Sequence, residues 1–105
     1  MTVSTHVLNA TTGQPAAGLE LTLSQQNGAE WRELSRRVTD QDGRVPDLAG
    51  HTAPGVYRIT FQTGAYLPET FYPEVTVVFR ITDRGVHHHV PLLLSPYAYS
   101  TYRGS

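Results

Sequence analysis

Apolar and polar residues alternate along most of the chain, which is the period of β-strands with one buried face. The clearest example is Leu19, Leu21 and Leu23, which polar residues separate. Two later segments repeat the pattern, with apolar residues at Tyr57, Ile59 and Phe61 and at Val75, Val77, Phe79 and Ile81. About eight such segments follow one another at roughly 8–12-residue spacing, and no long helical period appears. The pattern therefore predicts an all-β sandwich.

Turn residues separate these segments. Asn27-Gly28 is a strong hairpin signal. Asp40-Gln41-Asp42-Gly43 predicts a turn that leads into a very short strand at Arg44 and Val45. Another turn is predicted at Asp83-Arg84-Gly85. Two prolines between residues 64 and 73 allow at most a very short helix near residues 64–70.

Residues 87–105 predict a final β-hairpin. Period 2 places His87, His89, Pro91 and Leu93 on one face of its first strand and His88, Val90, Leu92 and Leu94 on the other. After Ser95-Pro96 the chain turns, and residues 97–103 predict a second strand rich in Tyr and Thr. Tyr102 and Gly104 share one face of it, and Ser105 arrives at its rim.

Three strand faces mix polar and apolar residues, so they do not resemble a solvated surface. They carry His6 and Leu8, then His89 with Pro91 and Leu93, and finally Tyr102. If the opposite faces form the core, these faces make a partly apolar patch that predicts an interface or a ligand site. Two other interpretations stay open. His6 alone is most simply a surface or core-edge histidine, and His87 with His89 could bind a metal if a third ligand joined them.

Composition and net charge limit the classes of partner and chemistry that we expect for this chain. The 105 residues predict one domain over 1–105, with 39% hydrophobic and 16% charged residues. A formal net charge of -1 argues against nucleic acid or an anionic membrane as the main partner. Cysteine is absent, so neither disulfides nor thiol chemistry is available. The first residues do not resemble a signal peptide and no run is long enough to span a membrane, so we expect a cytoplasmic protein.

Several motifs closely resemble the 5-hydroxyisourate hydrolases, the transthyretin-related enzymes of purine catabolism. They are Ser4-Thr-His-Val-Leu-Asn9, Asp42-Gly-Arg44, Phe71-Tyr-Pro-Glu-Val-Thr-Val77, the histidine-rich segment before Pro96, and the terminal signature Tyr102-Arg-Gly-Ser105. The similarity covers the full chain. Two departures are visible: residues 64–70 look shorter than the family's helix, and His88 stands where the family often has Tyr.

The resemblance implies a transthyretin-like sandwich in which His6, Arg44 and His89 are catalytic, while Tyr102 and Ser105 close the substrate pocket. It further implies a homotetramer with sites at the dimer–dimer interface. The implied reaction hydrolyses 5-hydroxyisourate to 2-oxo-4-hydroxy-4-carboxy-5-ureidoimidazoline, with water activated by histidine and an oxyanion held by arginine. It calls for no metal and no organic cofactor.

Two rival functions remain. A transthyretin-like carrier of small aromatic ligands would share the fold and the tetramer, but would need an apolar channel rather than convergent His and Arg residues. An isolated sandwich domain with only structural contacts would be a monomer, and its mixed faces would stay exposed to water.

Overall fold

The computed structural model describes residues 3–50, 52–82 and 85–105. Two β-sheets pack face to face, so the predicted sandwich is confirmed. The elements in chain order are β1 (Val3–Asn9), β2 (Gln14–Pro15), β3 (Glu20–Asn27), β4 (Glu30–Val38), β5 (Arg44–Val45), β6 (Gly55–Phe61), α1 (Thr63–Tyr66), β7 (Val75–Ile81), β8 (His88–Ser95) and β9 (Ala98–Thr101). The turn predicted at residues 83–85 lies largely outside the described residues.

The first sheet has the order β2-β1-β8-β9, with β5 also paired to β1, and the second has the order β4-β3-β6-β7. Only the pairing of β1 with β8 is parallel; the other strand pairs of the described chain are antiparallel. This parallel pair joins the two ends of the sequence at the centre of one sheet. The first and last predicted motifs therefore become neighbours.

The core lies between the sheets and is built from the predicted apolar faces. Leu21 and Leu23 of β3 meet Ile59 and Phe61 of β6 in the register of that strand pair, and all four are fully buried. From the first sheet, Val7, Leu92 and Leu94 close the other side, also fully buried. Burying one such side chain contributes about 1.5–3 kcal/mol relative to exposure. The predicted alternation of β8 is thus confirmed, with its Val90, Leu92 and Leu94 face turned inward.

Three elements differ in detail from the expectation. The Gly and Pro content of residues 11–18 predicts a loop. A tight turn instead folds Gln14–Pro15 back on β1 as an edge strand, where a proline without an N–H group is tolerated. The expected very short helix is present as Thr63–Tyr66 and begins one residue before the expected region.

The last strand ends at Thr101, whereas the sequence predicted a strand through residue 103. Its register places Tyr102 opposite Pro91. The Gly104 N–H donates to the His89 carbonyl, and hydrogen-bonded pairs recur at every second residue along antiparallel strands, so Tyr102 and Pro91 would form the next such pair. Pro91 has no N–H group to donate, so the ladder breaks there and resumes as a bridge between His89 and Gly104. None of the described helices is long and apolar enough to cross a membrane.

Candidate active site

Strand pairing assembles the site. In the parallel pair of β1 and β8, Ser4 lies opposite His89 and His6 lies opposite Pro91. On the other side of β1, the two-residue strand β5 places Arg44 opposite His6. Three segments that are far apart in the sequence therefore converge on the outer face of one sheet.

A polar cavity of about 290 Å³ opens on this face. It is lined by Ser4, Thr5, Arg44, Pro46, His87, His89 and Ser105. Three of the residues predicted for the site, Arg44, His89 and Ser105, thus share one cavity. We call it the histidine–arginine cleft.

The other two predicted residues lie beside the cleft. His6 is half-buried and does not line the cavity, but its charge is close enough to act on the pKa of His89. Tyr102 is 60% exposed and lines a neighbouring cavity of about 340 Å³, which also contacts His89. His89 therefore stands between the two cavities.

Arg44 is held by a tight turn in front of β1. Gly43 adopts a φ of +73°, a backbone conformation that favours glycine. A Cβ atom there would lie 2.4 Å from the Val7 carbonyl oxygen, so a larger residue cannot approach β1 this closely. The Asp40 carboxylate accepts a hydrogen bond of 2.9 Å from the Arg44 N–H. The predicted turn therefore delivers the guanidinium to the cleft, and its Gly is required by the close contact.

Ser4 and His87 were not predicted as functional partners. The Ser4 hydroxyl lies 2.7 Å from Nδ1 of His89 and 2.7 Å from Nε2 of His87. Ser4 shares a strand face with His6 in the sequence pattern, which was the available signal. What the pattern lacked was the parallel register that sets Ser4 against His89.

Gly104 packs directly against the ring of His89. A Cβ atom on Gly104 would lie 2.4 Å from Cδ2 of His89 and 3.1 Å from its Cγ. Because glycine has no Cβ atom, the backbone of the C-terminal segment can lie directly against the imidazole. The C-terminal segment and Ser4 thus hold the His89 ring from two sides.

The surroundings of His89 lower its pKa from the usual 6.5. Burial is the largest cause, followed by charge repulsion from Arg44 and then from His87 and His6 in their protonated forms; hydrogen bonding to the Ser4 backbone acts in the opposite direction. Like charges disfavour a second proton, as expected for clustered histidines. His89 is therefore neutral near pH 7, the form that can accept a proton from water.

The neighbouring cavity is more apolar. It is lined by Val77 and Phe79 of β7 and by His88 and Val90 of β8. His88 is only 6% exposed, and its Nδ1 has no hydrogen-bond partner among the described residues. Among all the residues that the structure describes, no three His, Cys, Asp or Glu side chains form a group that could hold a metal ion.

Together, the sandwich and the histidine–arginine cleft define a transthyretin-like protein whose polar site suits the addition of water to a carbonyl group. The chain belongs to the HIUase/Transthyretin family, whose sequence model matches residues 3–104.

Relatives with known names agree with this assignment. The 5-hydroxyisourate hydrolase of Salmonella typhimurium is 48% identical over 111 residues, covering 98% of this chain and 80% of that protein. The 5-hydroxyisourate hydrolase of Mus musculus is 46% identical, covering 98% of this chain and 94% of that protein.

The fold of this chain is similar to solved structures of a 5-hydroxyisourate hydrolase and of a transthyretin. The Klebsiella pneumoniae 5-hydroxyisourate hydrolase superposes with a TM-score of 0.89 at 34% identity, covering all of both chains. Sea bream transthyretin in complex with thyroxine superposes with a TM-score of 0.94 at 30% identity, covering 99% of this chain and 95% of that chain. Because the thyroxine-bound transthyretin fits as well as the hydrolase, the backbone alone does not distinguish the two kinds of protein.

Proposed function

We propose that this protein hydrolyses 5-hydroxyisourate, a step of urate degradation. The observation that carries the proposal is the convergence of His89, Arg44 and Ser105 on one polar cleft. The named hydrolases at 46–48% identity support the same substrate. The cytoplasmic location remains a prediction from the sequence.

The chemistry follows from the cleft. Water is a poor nucleophile at neutral pH, and the neutral imidazole of His89 is suited to remove its proton as the oxygen attacks the substrate carbonyl. Arg44 is always charged and planar, so it can hold the oxyanion that develops. His6 lies beside Arg44 across the strand pair and orients the water or the substrate. Tyr102 and Ser105 bound the space that the flat ring occupies.

The carrier alternative makes a different demand on the site. A protein that binds thyroxine-like aromatics needs an apolar channel, whereas the cleft contains two histidines, an arginine and two serines. The discriminating assay adds purified protein to freshly made 5-hydroxyisourate and follows the loss of its near-UV absorbance. An unchanged rate of decay together with tight thyroxine binding would favour the carrier.

Substitution of the histidines tests the residue roles. His89→Ala should lower the rate by about 10²–10⁴, the usual loss of an acid–base group. His6→Ala should lower it within the same range, because the water or the substrate would no longer be correctly oriented. The double variant should be less impaired than the product of the single effects, because residues that act as a unit are not additive. Near-wild-type activity in either variant removes that residue from the catalytic set.

A chelator tests the metal interpretation of His87 and His89. We expect EDTA to leave the rate unchanged, because the proposed base acts through its own imidazole. Activity that is lost with EDTA and restored by zinc would instead assign these histidines to a metal ion.

We further propose that the protein assembles as a homotetramer, with the clefts at the interface between dimers. The support is the outer face of the first sheet, where Leu8 and Leu93 are only partly covered beside His6. Such mixed faces usually mark an interface, and the exposed side chain of Tyr102 continues the same surface.

A further inference from the structure

Ser4 occupies a position that the proposed mechanism has not used. Its hydroxyl contacts Nδ1 of His89 and Nε2 of His87 at 2.7 Å each, so one oxygen bridges two imidazoles. Ser4 is only 7% exposed, whereas His87 is exposed to solvent at the cleft. The three side chains form a continuous hydrogen-bonded path from a half-buried histidine to the surface.

A hydroxyl has one proton, so it can donate to only one of the two imidazoles. If Ser4 donates to Nε2 of His87, it must accept the Nδ1–H of His89. That arrangement leaves the lone pair of His89 on Nε2, its remaining ring nitrogen. The bridge therefore couples the tautomer of His89 to the protonation of His87, which neither histidine would do alone.

We infer that His89, Ser4 and His87 form a proton relay, in which Ser4 positions His89 as the base and His87 holds the proton removed from water. The inference rests on the proposed hydrolysis of 5-hydroxyisourate. It names His89 rather than His6 as the general base and gives Ser4 and His87 roles that the sequence did not predict.

The relay balances over the reaction. As the water oxygen bonds to the substrate carbonyl carbon, the water proton passes to Nε2 of His89, the Nδ1 proton to Ser4 Oγ, and the Ser4 proton to Nε2 of His87. The carbonyl electron pair moves to the oxygen held by Arg44. When that pair re-forms the carbonyl and the ring C–N bond breaks, the proton returns by the same path to the leaving nitrogen. His89, Ser4 and His87 then return to their initial protonation states.

Electrostatic interactions favour moving the proton from His89 to His87. A proton that stayed on His89 would be half-buried near Arg44 and His6, where burial and charge repulsion lower the pKa of His89. On His87 the same charge faces solvent, where it is better hydrated and farther from a buried environment. Transfer through Ser4 therefore relieves repulsion inside the cleft while the oxyanion is bound.

The decisive variant is His87→Gln, because glutamine can still bond to Ser4 but cannot take up a proton. We expect kcat to fall about ten- to hundredfold at low buffer concentration, the range for partners that support a functional histidine. KM should stay unchanged, and added imidazole should restore kcat by accepting the proton at the exposed end. Wild-type kcat in this variant, or a fall that imidazole does not reverse, would overturn the relay.

Ser4→Ala should lower kcat by a similar factor, and imidazole should not restore it, because the missing link is buried. The double variant should be no worse than Ser4→Ala, since both changes break one path. Ser24→Ala is the matched control: Ser24 is also 7% exposed but lies in the opposite sheet. Wild-type kcat in Ser4→Ala would refute the inference, while a wild-type protein inactive on 5-hydroxyisourate would instead refute the proposed function.

Discussion

At the scale of single residues, the site depends on how tightly His89 is held. Its ring bonds to Ser4 on one side and lies against the backbone of Gly104 on the other. A glycine in the C-terminal signature is thus explained by contact with the base, not by a turn. The same packing half-buries the imidazole, which is the largest cause of its lowered pKa.

Gly104→Ala should therefore displace the imidazole. The new Cβ would lie 2.4 Å from Cδ2 of His89, a separation that requires the ring or the strand to move. We expect kcat to fall by about 10² or more, approaching the loss of the base itself, with little change in the unfolding midpoint. Gly50→Ala is the matched control, because a Cβ on Gly50 meets nothing within 4 Å. Equal kcat values in the two variants would show that the contact does not position His89.

The dependence of kcat/KM on pH should reflect the protonation of His89. The neutral form of His89 is the active base, and its pKa is lowered from 6.5. The acid limb of kcat/KM should therefore have its midpoint below pH 6.5, so that more than half of the activity remains at pH 6.5. The measurement is kcat/KM between pH 5 and 8, corrected for spontaneous decay of the substrate. An acid limb with a midpoint at or above 6.5 would contradict the assignment.

At the scale of elements, the last strand serves two purposes on either side of Pro91. Up to Thr101 it extends the sheet, and after the break the chain carries Tyr102 and Arg103 to one cavity and Ser105 to the other. Because the segment after the break keeps only one backbone bridge to β8, it contributes more to the site than to the fold.

Residues appended after Ser105 should therefore impair catalysis more than stability. They would begin at the wall of the histidine–arginine cleft and crowd the substrate. We expect a C-terminal tag to lower kcat/KM at least tenfold, about 1.4 kcal/mol in transition-state stabilisation, with an unchanged melting temperature. The same tag placed before Met1 is the control. If both tagged proteins turn over substrate equally, Ser105 does not bound the site.

At the scale of the whole molecule, the proposed tetramer would place the cleft at the interface between dimers. Leu93→Glu places a charge on the outer face of the first sheet, where the proposed interface would desolvate it. We expect this variant to sediment as a smaller species than the wild type and to lose activity with the shared cleft. Val38→Glu is the control, because Val38 is 59% exposed at the end of β4 in the other sheet. A wild-type protein that is monomeric at micromolar concentration would refute the assembly.

Local pattern predicted most elements of the fold, whereas the residues of the candidate site were predicted from the family motifs. Alternation along one strand depends only on neighbouring residues, so the inward faces of β3, β6 and β8 were predictable. The turn before Arg44 followed from its Asp and Gly residues. Of the five site residues predicted from those motifs, Arg44, His89 and Ser105 share one cavity.

Only the tertiary structure decided which distant residues meet. The parallel register of β1 and β8 sets Ser4 against His89, although more than eighty residues separate them in the sequence. A period-2 pattern assigns a face but not a partner or a register, and long-range pairing leaves no local signal. For the same reason the break at Tyr102 could not be foreseen, since its cause is Pro91 on the neighbouring strand. Strand faces are a property of local sequence, whereas the Ser4 bridge and the contact of Gly104 with His89 exist only once the sheet has formed.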